Sequence, residues 1–274
     1  MTNAIRLPPD THLGAVHLRV ADLPSQVAFY EDVLGLQLLA EDAATGAMGT
    51  AEGRPLVVLY GDPLAPRRPV GTTGLFHFAL RMPARADLGA LVKRVQNAGY
   101  AFGGFSDHNV SEAAYLTDPE GNGIELYADR PRDVWHGVEG QVFMTTEPLD
   151  VPGLLMAAPG PAPRLPKGTT VGHIHLRVSW LEDSEAFYVG KLGLDVVTRS
   201  YPGALFASAG GYHHHVGMNV WDGEGAPRSP EGSLGLVSFE LVVPSDEIRA
   251  TLLGGRPEGS LLDPDGIGVR LTRG

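Results

Sequence analysis

The sequence predicts an α+β fold in which four βαβββ modules build two curved sheets. The first observation is an internal repeat, since Gly14–Leu39 aligns without gaps with Gly172–Val197 and 12 of the 26 positions are identical. The second is a weaker repeat, in which Gly74–Leu80 corresponds to Gly235–Leu241. The third is composition: 36 glycines and 22 prolines in a chain that is 43% hydrophobic indicate many short strands joined by tight turns.

The elements of one module follow from its hydrophobic pattern. Each module opens with a short alternating strand such as Val16–Val20, and an amphipathic helix such as Pro24–Val33 comes next. Several β-rich segments, separated by Gly or Asp-Pro turns, complete the module. The last module is compressed, because fewer residues precede the final Asp-Pro turn at Asp263 than precede the corresponding turn at Asp118. Modules 1 to 3 are therefore expected to be complete and module 4 to be short.

The middle of the chain separates two pairs of modules. Six prolines fall within the 19 residues of Pro148–Pro166, which predicts a stiff, extended connection. We therefore expect a first domain at 10–130, a Pro-rich connection at 131–168 and a second domain at 169–274.

Composition and charge exclude several classes of protein and of site. Lys and Arg number 21 against 32 Asp and Glu, and this acidic balance excludes the electrostatic footprint of nucleic-acid or anionic-membrane binding. The chain has no cysteine, so any metal must be held by His, Asp or Glu. No segment resembles a secretory signal or a transmembrane helix, which predicts a cytoplasmic protein without a membrane partner. Exposed sheet edges often associate, so the sequence is compatible with a homo-oligomer.

The opening of module 1, LGAVHLRVADL followed by FYEDVLGL, resembles the vicinal oxygen chelate superfamily of glyoxalases, bleomycin-resistance proteins and extradiol dioxygenases. The resemblance covers nearly the whole chain. It implies that paired modules form curved-sheet barrels that enclose a divalent metal. Within the family, DHNVSEAAYLTDPEGNGIELYADRP and GGYHHHVGMNVW are most similar to the catechol 2,3-dioxygenase-like proteins of bacteria.

The same resemblance implies a metal site. The family takes one His from the opening strand of a module, and a second His and a Glu from the opening and last strands of the partner module. In this chain those positions hold His173, His77 and Glu125. Two His and one carboxylate are the usual ligands of non-haem Fe(II), and Mn(II) is also compatible with them. The corresponding positions of modules 1 and 4 hold Ala15, Ser238 and Arg270.

The pairing of the modules decides whether this site is complete. His173 joins the other two ligands only if module 2 pairs with module 3 and module 1 with module 4, and we favour this arrangement. In the sequential alternative, module 2 pairs with module 1 and His17 replaces His173. His17 lies on the same strand face as Ala15 but roughly 6.6 Å further along. His175 repeats His17, which predicts a shared structural role for both.

The resemblance also implies catalytic residues. The family signature runs from a His through an apolar residue and a Tyr to the ligand Glu, and His108, Tyr115 and Glu125 match it here. In module 3, alternation along a strand would send the first and third residues of His213–His215 to one face. His215 falls on the position of the family's acid/base His, which would accept a substrate proton, and Tyr115, held by His108, would hydrogen-bond the substrate.

These residues together predict an Fe(II)-dependent extradiol dioxygenase. Such an enzyme combines a small aromatic diol, catechol or a substituted catechol, with O2 and gives a ring-opened semialdehyde. One alternative is a glyoxalase-like lyase or isomerase, in which the metal acts as a Lewis acid and His215 supplies a fourth ligand. The other is a non-enzymatic binding protein with an apolar cavity and no bound metal.

Overall fold

Two curved sheets and a short hairpin form the computed structural model, which describes residues 5–138, 141–256 and 259–274. The strands of module 1 are β1 His12–Val20, β2 Gln37–Glu41, β3 Thr45–Gly49 and β4 Pro55–Gly61. Those of module 2 are β5 Gly74–Met82, β6 Gly104–Asp107, β7 Ser111–Thr117 and β8 Gly123–Asp129. The hairpin consists of β9 Gly137–Val138 and β10 Gln141–Val142. Modules 1 and 2 thus have the four strands expected of each.

The second half of the chain repeats this order. Module 3 contains β11 Thr170–Arg177, β12 Asp195–Thr198, β13 Ala204–Ser208 and β14 Val216–Asn219. Module 4 contains β15 Gly235–Val243, β16 Ser260–Leu262 and β17 Gly268–Arg273. The helices are α1 Leu23–Ala28, α2 Arg85–Asn97, α3 Val151–Ala157, α4 Leu181–Glu185 and α5 Asp246–Leu252. Module 4 has one strand fewer in the described part of the chain, as its short sequence predicts. No helix among these residues is long and apolar enough to cross a membrane.

The sheet topology confirms the predicted pairing of modules 2 with 3 and 1 with 4. The eight-stranded sheet has the order β12-β13-β14-β11-β5-β8-β7-β6, and the seven-stranded sheet has the order β16-β17-β15-β1-β4-β3-β2. The opening strands of paired modules meet in antiparallel fashion, β5 with β11 and β1 with β15. The sequential alternative is therefore wrong. Each sheet takes strands from both sides of the connection. The domain boundaries at residues 131 and 168 stay a prediction.

The first helices of modules 1 and 3 share a feature that the amphipathic pattern does not predict. Each begins as a short α-helix and continues as a π-helical segment, at Phe29–Val33 and at Ala186–Lys191. Each segment also carries a fully buried tyrosine. Its hydroxyl donates to the aspartate of the Asp-Pro turn in the next module along the chain. The pairs are Tyr188 with Asp263 at 2.9 Å and Tyr30 with Asp118 at 3.4 Å. These contacts give the Asp-Pro turns a structural role.

The connection is less extended than its prolines predict. It contains the hairpin and helix α3, which Asp150 caps by accepting a hydrogen bond from the backbone N–H of Gly153 at 3.0 Å. Pro152 lies in the first turn of that helix, where its missing N–H costs nothing. Helix α3 packs on α2, and residues 144–146 lie over the face of the eight-stranded sheet that holds the predicted metal ligands.

Candidate metal centre and cavity

Three side chains of the eight-stranded sheet bring their ligand atoms together. His77 Nε2 lies 3.0 Å from Glu125 Oε2, His173 Nε2 lies 3.2 Å from the same oxygen, and the two nitrogens are 3.3 Å apart. Among the described residues, this is the group of His, Asp and Glu side chains whose ligand atoms all lie within 4.8 Å of one another. The structure thus gathers the three residues that the sequence proposes as metal ligands.

The strand register explains this convergence. Ala79 of β5 pairs with His173 of β11 on one side and with Glu125 of β8 on the other. His77 precedes Ala79 by two residues and so projects from the same face of the central strand. Three adjacent strands therefore place one ligand each around a single point.

Burial controls the protonation of this group. His77, Glu125 and His173 are all buried. Burial lowers the pKa of His173 to about 4 and outweighs the opposing attraction of Glu125, so the imidazole is neutral at pH 7. Burial also disfavours the carboxylate, but interactions with His173 and His77 hold the pKa of Glu125 well below its usual range. A neutral imidazole and a carboxylate are the forms in which His and Glu bind metal ions.

The donor set fits a divalent transition metal. Without a cation, two ring nitrogens and one carboxylate oxygen within 3.3 Å of one another would have to share the few protons available. A cation at their centre would satisfy all three lone pairs at once. Imidazole and carboxylate ligands suit Fe(II) and Mn(II), and a three-ligand site leaves coordination positions open.

A cavity of about 330 Å³ opens beside the triad. Strands β5, β7, β8, β11, β13 and the segment 144–146 all contribute to its walls. Most of the exposed lining is apolar, and the polar groups include His77, Glu125 and Tyr115. A largely apolar cavity of this size with a few converging polar groups is typical of a small-molecule site.

Tyr115 and His108 form a hydrogen-bond chain along one wall. His108 Nδ1 lies 2.6 Å from the carbonyl oxygen of Thr145, which can only accept, so this nitrogen carries the ring proton. With its proton on Nδ1, the His108 ring accepts at Nε2 from the Tyr115 hydroxyl at 2.6 Å. Both side chains line the cavity, as the signature predicts, and the lone pairs of the Tyr115 oxygen remain available.

In the histidine run, His214 lines the cavity and His215 does not, so the catalytic role of His215 stays a prediction. The prediction for His215 rests on the family resemblance and on alternation, but alternation applies only within a strand and β14 begins at Val216. The ring nitrogen His215 Nδ1 lies 3.0 Å from the Ser208 hydroxyl and accepts from the Ala209 N–H at 3.2 Å, so these groups engage it. The ring of His214 lies 4.0 Å from the ring of His173.

A second hydrogen-bond chain orients His214. Asp129 can only accept when ionised, so His213 Nε2, 3.0 Å away, carries a proton. With its proton on Nε2, the His213 ring accepts at Nδ1 from His214 Nδ1 at 2.8 Å. Burial, together with the neighbouring histidines, lowers the pKa of His214 well below its ordinary value, so this ring is also neutral. The remaining nitrogen, His214 Nε2, keeps its lone pair.

His175 is a cavity residue that the sequence reasoning missed. The repeat with His17 predicts a shared structural role, but the two environments differ. His17 is hydrogen-bonded to Tyr60 at 3.0 Å and to Glu240 at 3.2 Å, and it lies in the seven-stranded sheet, away from the triad. His175 lines the cavity, and its Nε2 is buried without a partner among the described residues. Its pairing with His77 across β5 and β11 is the signal that identifies it, and pairing emerges only from the fold.

Comparisons with known proteins agree with this architecture. The model of the Glyoxalase/Bleomycin resistance protein/Dioxygenase superfamily matches residues 12–126. Catechol-2,3-dioxygenase of Bacillus subtilis (strain 168) is 46% identical over 246 residues, which cover 87% of this chain and 85% of that protein. Biphenyl-2,3-diol 1,2-dioxygenase 3 of Rhodococcus globerulus is 32% identical over 130 residues, 44% of this chain and 68% of that protein.

A solved structure shows the same fold at low sequence identity. Glyoxalase I from Zea mays superposes with a TM-score of 0.57 at 16% identity, over 96% of this chain and 92% of that one. The family resemblance stated from the sequence is thereby confirmed, and the identity of 46% over most of the chain carries it. The chain belongs to the Glyoxalase/Bleomycin resistance protein/Dioxygenase superfamily.

Proposed function

We propose that this protein is an extradiol dioxygenase, which combines catechol or a substituted catechol with O2 and releases a ring-opened semialdehyde. The observation that carries the proposal is the convergence of His77, His173 and Glu125 at one end of a cavity that also presents Tyr115 and His214. Two relatives, named for the dioxygenation of catechol and of biphenyl-2,3-diol, support the same reaction type.

The metal ligands have a defined task in this reaction. His77, His173 and Glu125 would hold Fe(II), and two of these ligands, His77 and Glu125, line the cavity. The chemistry that Fe(II) supplies when bound is the joint binding and redox activation of a diol and dioxygen. Mn(II) could occupy the same ligands.

Tyr115 is suited to orient the diol. The Tyr115 hydroxyl donates its hydrogen bond to His108, so the Tyr115 oxygen can accept a hydrogen bond from a diol hydroxyl. The Thr145 carbonyl fixes the tautomer of His108 and thereby the direction of this bond. The three groups would position the ring before any bond is broken.

His214 is suited to accept a proton from the diol. Its Nε2 keeps a lone pair because Nδ1 donates to His213, and the Asp129 carboxylate holds His213 in the required tautomer. A neutral imidazole at the cavity can act as a general base. We assign this task to His214 in place of His215, whose ring nitrogen is engaged with Ser208 and Ala209.

The glyoxalase-like alternative has less support. It calls for His215 as a fourth ligand, and this side chain is not part of the group of converging ligand atoms in the described residues. The non-enzymatic alternative leaves the buried nitrogens and carboxylate of the triad without a task.

Oxygen uptake tests the proposal. Purified protein is loaded with Fe(II) under nitrogen and mixed with aerated buffer containing catechol. We expect one O2 consumed for each catechol, and a Glu125→Ala variant treated in the same way serves as the control. Conversion of a hemithioacetal without O2 consumption would establish the glyoxalase-like activity instead. Tight binding of catechol with no reaction would leave the binding protein.

A further inference from the structure

One side of the cavity is built from large apolar side chains. Phe76 and Trp221 pack edge to face with ring centroids 5.2 Å apart, and Tyr201 lies 6.1 Å from Trp221. Phe206 lies 6.0 Å from Tyr201, and Met144 packs against the same cluster. All five side chains line the cavity. We call them the apolar wall.

The wall extends away from the metal ligands in steps. Phe76 lies next to His77, with ring centroids 5.2 Å apart. Trp221 contacts Phe76 but makes no ring contact with a triad histidine, and Tyr201 lies one contact further out. A diol ring held at the triad would therefore direct its substituents toward Trp221, Tyr201 and Met144.

No lysine or arginine lines this cavity in the described part of the chain. Arg177 approaches it from outside, with its guanidinium 4.9 Å above the Phe76 ring. That guanidinium is engaged by Asp222 at 2.7 Å and by the Leu75 carbonyl. Arg177 lines an adjoining cavity and not this one. A negatively charged substituent would thus lose its hydration without gaining a cationic partner.

The outer part of the wall belongs to the connection between the two halves of the chain. Met144 is half-buried against Tyr201 and Phe206, and Thr146 Oγ1 is hydrogen-bonded to the Tyr201 hydroxyl at 2.7 Å. This bond gives the Tyr201 hydroxyl a partner within the chain, and the Tyr201 side chain lines the cavity. The connection is therefore part of the binding surface and not only a tether.

We propose that the apolar wall selects aromatic diols that carry an uncharged, apolar substituent and rejects those that carry a carboxylate, with Met144 and Trp221 as specificity-determining residues. The inference rests on the proposed function, since it assumes that the triad holds the diol. It goes further by naming the class of substituent.

Anaerobic titration calorimetry tests this selection separately from turnover. The Fe(II)-loaded protein is titrated under nitrogen with a methyl-substituted catechol and with the catechol that carries a carboxylate at the same ring position. We expect the methyl compound to bind more tightly by on the order of a hundredfold, because the lining offers the carboxylate no lysine or arginine. Equal affinities, tighter binding of the carboxylate compound or binding of neither compound would overturn the inference.

Two methionines of the connection provide a matched pair of variants. Met144→Lys places a cation at the wall, and we expect it to reduce the preference for the methyl compound at least about tenfold. Met156→Lys makes the same change at a side chain that is 81% exposed in α3, and we expect the wild-type preference. An unchanged preference in Met144→Lys would contradict the assignment.

A second variant guards against a folding defect in Met144→Lys. Trp221 is 44% exposed, so Trp221→Arg can direct its charge to the cavity without filling the core. We expect it to shift the preference in the same direction. Preferential binding of the methyl compound without any O2 uptake would support this inference and refute the proposed reaction, so the two claims fail separately.

Discussion

The two curved sheets of this protein show what one pair of module positions becomes with and without metal ligands. The eight-stranded sheet holds His77, Glu125 and His173, whose lone pairs point at one another. The equivalent positions of the seven-stranded sheet hold Ser238, Arg270 and Ala15. There, Arg270 donates to the Ser238 hydroxyl at 2.8 Å and approaches the Tyr60 hydroxyl at 3.4 Å.

The neighbouring histidines show the same contrast. In the seven-stranded sheet, His17 bridges Tyr60 and Glu240, so its ring nitrogens have partners within the chain. In the eight-stranded sheet, the corresponding His175 has an unpartnered Nε2. At these positions the seven-stranded sheet has Arg270 and a fully paired His17, whereas the eight-stranded sheet leaves acceptors that an external cation and ligand can satisfy. This difference favours the eight-stranded sheet as the place of the proposed chemistry.

The largest expected effect separates the two histidines that compete for the site. His173→Ala removes one of three ligands, and we expect O2 uptake with catechol to fall by about a thousandfold or more. His17→Ala removes a hydrogen-bonded residue of the other sheet and should retain most of the activity. Oxygen-electrode rates of the two Fe(II)-loaded variants provide the comparison, and the opposite pattern would return the site to His17.

A smaller effect separates neighbours in the histidine run. His214→Gln removes the proposed base, which should lower kcat about a hundredfold while the metal content stays at the wild-type level. His215→Gln alters a ring bonded to Ser208 and Ala209 and should change kcat only a few-fold. Steady-state kinetics with catechol measure both, and a larger loss for His215→Gln would restore the assignment made from the sequence.

Tyr115→Phe tests substrate orientation at the eight-stranded sheet, which holds the predicted metal ligands. The change deletes one hydroxyl and its bond to His108, and we expect kcat/KM for catechol to fall about tenfold to a hundredfold. Metal content should be unchanged, because the Tyr115 hydroxyl lies outside the group of ligand atoms. A wild-type kcat/KM in this variant would remove Tyr115 from the proposed mechanism.

The smallest expected effect concerns the seven-stranded sheet, in which Arg270 takes the position of Glu125. Arg270→Ala deletes the hydrogen bonds to Ser238 and Tyr60, and we expect the free energy of unfolding to fall by about 1–2 kcal/mol. Urea denaturation measures this loss. Activity should remain near the wild-type value, and a loss of bound metal in this variant would contradict the separation of the two sheets.

Much of this architecture could be predicted from the sequence because it rests on local patterns that repeat. The repeat identifies the modules, and the placement of His77, Glu125 and His173 against Ala15 and the other substituted positions predicts which modules pair. The topology bears out that pairing.

The features that sequence reasoning missed depend on contacts between distant segments. His214 lines the cavity, and strand β14 begins only at Val216, after the histidine run. The alternation of side chains along a strand therefore does not predict which of these histidines faces the cavity. Met144 and Thr145 line the cavity because the connection folds back over the sheet, whereas its prolines predict only stiffness. Neither fact is encoded in a pattern of neighbouring residues.

The metal content of each sheet is the most direct test of the central claim. Protein reconstituted with Fe(II) under nitrogen and freed of excess metal is analysed by inductively coupled plasma mass spectrometry. The account predicts one iron per chain in the wild type and in Arg270→Ala, and none in His77→Ala. Two irons per chain, no iron in the wild type, or iron retained in His77→Ala would contradict it.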